Sequence, residues 1–207
     1  MAMFIARRLV FGLAASLVAG SFALAQAPAP AQIRVRGDIS SVDADELHVT
    51  TRSGDNVSLK LPDDVVVTVI EPIAIDVIKP GSFIGTAATT EPDGTLLASE
   101  VQVFPESMRG TGEGHRPWDL GLNSTMTNGT VGKLERITDE RTLTVVYKGG
   151  EKTVIVPPSA PIVTYEPGSR ALLVPGAHVI VTATRNPDET LTAIRIGVGR
   201  DGLVPPM

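Results

Sequence analysis

Hydrophobic and polar residues alternate along most of the chain after residue 32. The alternation is clear at Leu47 and Val49, and it returns at Leu143 and Val145. A period of two with many β-branched side chains is typical of strands that bury one face. Outside the first 25 residues, no stretch shows the period of an amphipathic helix. The pattern therefore predicts an all-β fold.

The same pattern occurs twice in the chain. A shift of 95 positions places EPDGTLLASEV (91–101) on NPDETLTAIRI (186–196), and the match runs without gaps over residues 62–103. Upstream the shift is 92, where RGDISSVD (36–43) meets NGTVGKLE (128–135). Turn residues and core residues repeat together, which indicates an internal duplication.

Turn residues recur at equivalent places in the two copies. Pro80–Gly81 and Pro175–Gly176 suit a type II turn, because proline presets φ and glycine supplies a positive φ. Residues 92–94 (PDG) and 187–189 (PDE) mark a hairpin between the last two strands of each copy. A unit of roughly 70 residues with five or six short strands closes most naturally into a small barrel. The predicted fold is thus two tandem small OB-like β-barrels.

The repeat also divides the chain into parts. Residues 33–103 are the first barrel repeat and residues 128–199 the second, with an insert at 104–127 and a C-terminal tail at 200–207. The side chains expected in the cores are Ile39, Val42, Leu47, Val49, Leu59, Leu61, Leu96, Val101 and their equivalents in the second copy.

The first 25 residues have the features of a secretory signal peptide. Arg7 and Arg8 precede the apolar run LVFGLAASLVAGSFALA, and the small-residue motif ALA stands directly before Gln26. The chain has no cysteine, so neither a disulfide nor a lipid-bearing cysteine is available. We expect a periplasmic protein whose stability comes from an ordinary hydrophobic core.

The charge balance is acidic. The chain has 18 basic and 23 acidic residues, and loss of residues 1–25 leaves 16 basic residues and a net charge of −7. An acidic surface with few aromatic residues repels phosphate backbones, so no nucleic-acid partner is expected. After the signal peptide, no apolar stretch approaches the roughly 20 residues of a spanning helix.

Both copies resemble a family of secreted bacterial domains of unknown function, built as small OB-like barrels that often occur in tandem. The family pattern is a G-x-I start, an L-x-V strand, a P-G turn and a closing D-G-x-L-x-A-x-x-V hairpin. In the first copy these are Gly37–Ile39, Leu47–Val49, Pro80–Gly81 and Asp93–Val101. In the second copy they are Gly129–Val131, Leu143–Val145, Pro175–Gly176 and Asp188–Ile196, with Glu189 in place of the hairpin glycine.

The resemblance covers residues 34–103 and 128–198. Its motifs are structural, so it implies a fold and no catalytic residues. Similar sequences are sometimes labelled metal-transporter permeases. A permease needs several spanning helices, and this sequence predicts none after the signal peptide, so the label is not supported.

The insert, FPESMRGTGEGHRPWDLGLNSTMT, has no counterpart inside either copy. A loop of this length is uncommon in a compact protein unless it is functional or a linker. We expect Trp118 and Leu120 to pack between the barrels, with His115, Arg116 and Asp119 on the anchored segment. The insert is therefore either a tether pinned by Trp118, or a loop that binds a ligand or partner through His115, Arg116, Trp118 and Asp119.

No metal site, cofactor or catalytic residue is predicted. His48, His115 and His178 stand far apart, and none has a second histidine or cysteine at ligand spacing. A site at His115 would need Glu113 or Asp119, which is a poor ligand set. The standard nucleophile motifs are also missing from the sequence.

These observations favour an exported, non-enzymatic binding or scaffolding module of the bacterial envelope. Its partner is expected to be an envelope protein or a small ligand. The alternative is a periplasmic accessory protein in metal handling, with a weak site near His115.

Overall fold

The computed structural model describes residues 31–137 and 140–206, so the signal peptide predicted at residues 1–25 lies outside the described residues. Within them the chain forms thirteen β-strands and four one-turn 3-10 helices, and none of these helices is long and apolar enough to cross a membrane. The strands are β1 (Gln32–Val42), β2 (Glu46–Thr51), β3 (Asn56–Lys60), β4 (Val66–Pro72), β5 (Phe83–Thr90), β6 (Leu96–Val103), β7 (Gly114–Pro117), β8 (Ser124–Ile137), β9 (Glu140–Tyr147), β10 (Gly150–Val156), β11 (Ile162–Pro167), β12 (His178–Arg185) and β13 (Leu191–Gly199). The 3-10 helices are Ile75–Val77, Glu106–Met108, Arg170–Leu172 and Arg200–Gly202. The predicted all-β class is confirmed.

All thirteen strands belong to one hydrogen-bonded sheet. Its order is β10-β9-β8-β5-β6-β11-β4-β13-β12-β1-β2-β3, with β7 added along β8. Short parallel contacts of β10 with β6 and of β13 with β3 join strands that stand apart in this order. The pairings therefore close into two rings, one of β1, β2, β3, β13 and β12, the other of β8, β9, β10, β6 and β5.

Each ring takes strands from both copies of the repeat. β1 of the first copy pairs with β12 of the second over Gln32–Asp38, and β5 of the first copy pairs with β8 over Phe83–Thr89. Two tandem barrels with one copy in each are therefore not confirmed. Equivalent strands of two similar copies present the same edge and the same alternation, so the sequence pattern alone cannot distinguish pairing within a copy from pairing between copies.

The hydrophobic residues form two main cores that follow the rings. The first core joins Ile39 and Leu47 of the first copy to Val181 and Ile196 of the second. The second core contains Leu96 and Val101 of the first copy together with Leu143 and Val154 of the second. The residues predicted for the cores are buried, except that Val42, its equivalent Leu134 and Leu191 are only partly buried against the cores. They are divided between the two cores rather than placed in one core per copy.

The pairings obey an approximate twofold symmetry that relates the two copies. The equivalent strands β4 and β11 pair with each other antiparallel, with Ile70 opposite its own equivalent Tyr165. The parallel pair of Val67 with Ile196 likewise repeats as the pair of Ile162 with Val101. The β4–β11 ladder therefore lies on the symmetry axis.

The Pro-Gly turns connect one copy to the other. The backbone N–H of Gly81 donates to the carbonyl of Val131 (2.7 Å), and that of Gly176 donates to the carbonyl of Ile39 (2.7 Å). Their φ angles are +91° and +85°, as a type II turn requires, and the prediction for these turns is confirmed.

Candidate functional site

Nearly half of the insert at 104–127 forms regular secondary structure. Its residues 106–108 form a 3-10 turn, residues 114–117 form β7, and residues 124–127 already belong to β8. β7 runs antiparallel to β8 with Gly114 opposite Asn128. The hairpin fastens the insert to the edge of the second ring.

Strand alternation sends His115 and Arg116 to opposite faces of β7. Nδ1 of His115 lies 2.8 Å from Oγ1 of Thr127, and its ring stacks at 6.3 Å from the ring of Tyr147. Burial lowers the pKa of His115, and the charges of Lys152 and Arg116 lower it further. His115 thus stands apart from the other three candidate residues.

Trp118 packs between the two rings, as expected. It lies against Met126 of β8 and Ile180 of β12. The guanidinium of Arg34 lies 3.6 Å from the centre of its ring, and that of Arg116 lies 5.4 Å away. These are cation–π distances. Leu120 was expected beside it but is exposed.

Asp119 joins the insert to β1. Its carboxylate accepts hydrogen bonds of 2.7 and 3.1 Å from Arg36 and lies 3.8 Å from Arg34. Burial alone would raise the pKa of Asp119, but the hydrogen bond and the charges of Arg36 and Arg34 outweigh it and lower the pKa. Three of the four predicted site residues therefore lie beside β1.

Arg116 and Trp118 line a cleft of about 290 Å³ between the two rings. Both copies and the insert contribute to its wall. The apolar lining residues are Phe104, Met108, Trp118, Met126, Tyr165, Ile180 and Ile194, and the charged ones are Arg34, Arg116 and Arg195. No acidic side chain lines the cleft among the described residues.

Two of the cleft arginines are partly desolvated. Burial lowers the pKa of Arg116, whose Nη1 donates to the carbonyl of Gly112 (2.8 Å). Burial is also the largest cause of a lowered pKa at Arg34, where Asp119 opposes it and Arg36 and Arg116 add to it. Within the described residues, Arg116 forms no ion pair with a carboxylate.

Several buried polar atoms of the cleft residues have no hydrogen-bond partner among the described residues. They are Oγ1 of Thr68, Nε1 of Trp118 and Oδ1 of Asn128. Thr68 is 8 % exposed and Asn128 is 4 % exposed. An unmade hydrogen bond on a buried group costs about 1–3 kcal/mol, so these atoms mark the cleft region as one where stability is sacrificed.

A buried carboxyl group lies close to the cleft wall. Glu100 on β6 is 2 % exposed, and its Oε1 accepts a hydrogen bond of 3.0 Å from the cleft residue Gln102. Burial raises the pKa of Glu100 to about 7, although Gln102, Arg36 and Arg52 oppose the shift. Burial also raises the pKa of Tyr165, and the charge of Glu100 adds to it.

The sequence did not single out Arg34, Glu100 or Tyr165. Glu100 follows Leu96 and Ala98 at even spacing, so alternation alone places it on the buried face of β6. The sequence signal that could have identified Glu100 is a charged residue at a position where alternation predicts a buried side chain.

His48 and His178 each contact a polar side chain on the neighbouring strand. Nδ1 of His48 lies 2.8 Å from Oγ of Ser58, and Nδ1 of His178 lies 2.5 Å from Oδ1 of Asp38. Across residues 31–137 and 140–206, no group of three or more histidine, aspartate or glutamate side chains is arranged to hold a metal ion.

The fold and the cleft define an all-β protein that contains a duplication and has a cleft lined by arginine and aromatic residues. Residues 131–197 match the family model described as Domain of unknown function (DUF5666). The matched segment, which covers about a third of the chain, runs from β8 to β13, and its strands enter both rings. No curated protein and no solved structure matches the chain.

Proposed function

We propose that the protein is an exported, non-enzymatic binding module of the bacterial envelope, and that the cleft between the rings is its binding site. The observation that supports this most strongly is the wall formed by Arg34, Arg116 and Trp118, where buried polar atoms have no partner. Pockets with mostly apolar walls and a few placed polar groups are typical of ligand sites.

The fold supports the proposal by making the cleft rigid. We interpret each ring as a small OB-like barrel that is completed by the other copy. Strand exchange between the copies means that the two barrels cannot separate without breaking the ladders of β1 with β12 and of β5 with β8. A cleft held between such units is pre-organised, which reduces the ordering cost of binding.

The proposal is tested with thermal unfolding and intrinsic fluorescence of the full chain, whose only tryptophan is Trp118. The panel contains organic acids, neutral aromatic compounds, organic cations, short oligosaccharides and divalent metal ions. We expect one class to raise Tm and change the Trp118 emission. A ligand at a hundredfold excess over Kd stabilises by about 3 kcal/mol.

Substitutions test whether the change in Tm comes from binding in the cleft. Arg116→Ala should abolish the Tm shift, whereas Arg185→Ala, an exposed arginine in a surface ion pair with Glu189, should retain it. A simple tether predicts instead that Trp118→Ala lowers stability and that no compound class acts on the wild type. A shift produced by one metal ion and lost in His115→Ala would favour the metal-handling alternative.

A further inference from the structure

We propose that the cleft binds a small organic carboxylate with a flat apolar body. The inference rests on the proposed function and specifies the ligand class for the same cleft.

The charge of the cleft indicates an anion. Arg34, Arg36 and Arg116 are grouped at one end of the insert, and Asp119 is the carboxylate that contacts this group. Arg34, Arg116 and Arg195 line the cleft itself, whereas Arg36 lies further along β1. The chain as a whole has a net charge of −5, so this local excess of positive charge is opposite to the rest of the molecule. Guanidinium groups bind carboxylates with two parallel hydrogen bonds.

Two of the three partnerless atoms of the cleft residues can donate a hydrogen bond, and the third, Oδ1 of Asn128, accepts one. Nε1 of Trp118 can only donate, and it is buried without an acceptor among the described residues. Oγ1 of Thr68 can donate to the same kind of group. A carboxylate has two oxygens with about four acceptor positions, which suits the guanidinium donors of Arg34, Arg116 and Arg195 in the lining.

The apolar wall indicates the rest of the ligand. Phe104 stacks on Tyr165 with ring centres 5.7 Å apart, and the two methionines Met108 and Met126 also line the cleft. Aromatic and thioether side chains pack well against flat rings. The volume of about 290 Å³ is at the lower end for ligand pockets, which favours a single small ring system.

The test is isothermal titration of the full chain with matched probes. Benzoate, cinnamate and 2-naphthoate represent three sizes of carboxylate, and cinnamamide is the neutral partner of cinnamate. Acetate and inorganic phosphate lack the apolar body. We expect at least one aromatic carboxylate to bind, with cinnamamide at least tenfold weaker than cinnamate if cinnamate is that ligand, and no binding of acetate or phosphate.

Two variants of Arg116 separate the effect of its charge from that of its two-pronged hydrogen bonding. Arg116→Ala should weaken the bound carboxylate at least tenfold, and Arg116→Lys should restore only part of the affinity because lysine cannot form the two-pronged contact. Arg185→Ala should bind as the wild type does. Unfolding curves of all three variants show whether each is folded.

The outcomes distinguish the two proposals. If the three carboxylates fail while a neutral or cationic compound raises Tm through Arg116, the ligand class is wrong and the binding module stands. If phosphate binds as tightly as the aromatic acids, the site recognises charge alone and the apolar body is wrong. If no compound class binds, both proposals fail.

Discussion

The two copies agree in their cores and differ where the cleft forms. Leu96 and Leu191 occupy equivalent positions, as do Val101 and Ile196, and all four pack against a core. At the cleft, by contrast, Gln102 is equivalent to Gly197, and Arg34 occupies on β1 the place that Met126 occupies on β8, since Arg34 pairs with Thr182 and Met126 pairs with Ala87, the equivalent of Thr182. The strand pairings form an approximately symmetric frame, and the residues that differ between the copies make the site asymmetric.

The two copies also differ in the segment that follows the last strand of each. The strand that closes the first copy continues into the insert, which covers the cleft with Trp118. The strand that closes the second copy continues into the 3-10 turn Arg200–Gly202, where Nε of Arg200 contacts Glu71 at 2.5 Å. The segments that follow equivalent strands therefore differ, and each lines a cavity: the insert lines the cleft, and Arg200–Gly202 lines another of about 480 Å³.

The largest expected loss of stability comes from substitutions at a glycine that both copies share. A Cβ on Gly37 would lie 2.0 Å from the carbonyl oxygen of Thr50, and a Cβ on its equivalent Gly129 would lie 2.4 Å from that of Val146. Both contacts are with backbone, so Gly37→Ala and Gly129→Ala should each lower the free energy of unfolding by about 3 kcal/mol, the upper range for overpacking. Urea unfolding measures the loss.

The matched control is Gly150→Ala, where the nearest atom is the Tyr147 hydroxyl at 3.4 Å. It should change the free energy of unfolding much less. A similar loss in all three variants would show that the close approach at the two G-x-I positions is not what requires glycine.

The next effect concerns a position where the copies differ in charge, Glu100 against Arg195. The pKa of Glu100 is raised to about 7, so the folded state holds its proton where the unfolded chain has lost it. Stability from this group is complete at low pH and falls as the pH rises through the interval between the unfolded pKa and about 7. Relative to the wild type, Glu100→Gln should therefore gain about 2 kcal/mol between pH 5 and pH 8.

Urea unfolding of both proteins at several pH values tests this. Titrations elsewhere in the molecule are common to the two proteins and cancel in the difference. A difference that stays constant from pH 5 to pH 8 would contradict the raised pKa, whatever its sign.

Most strands and turns could be predicted from the sequence, whereas the pairing of strands between the two copies could not. Alternation identified the strands, and Pro80–Gly81 identified a turn whose geometry is confirmed. Hydrophobic periodicity describes which face is buried but not which strand lies alongside, so the exchange between copies was not predictable from it. Trp118 was identified because it is a single large side chain in an unmatched segment. Arg34 was missed because a charged residue on a strand ordinarily faces solvent.

The smallest effect sharpens the comparison at the two hairpins. Gly94 has φ of +85°, and Glu189 at the equivalent turn has φ of +64°. The left-handed region costs a residue with a Cβ roughly 1–2 kcal/mol, and glycine enters it without that strain. Glu189→Gly should therefore raise the free energy of unfolding by about 1 kcal/mol, reduced by the surface ion pair with Arg185, which contributes little. Gly94→Ala should lower it by about 1 kcal/mol, since open space surrounds its Cβ position and only the backbone angle opposes the change. Thermal unfolding of both variants measures the two changes in stability. The changes must have opposite signs, because both turns adopt the same left-handed conformation and only the first has the glycine suited to it.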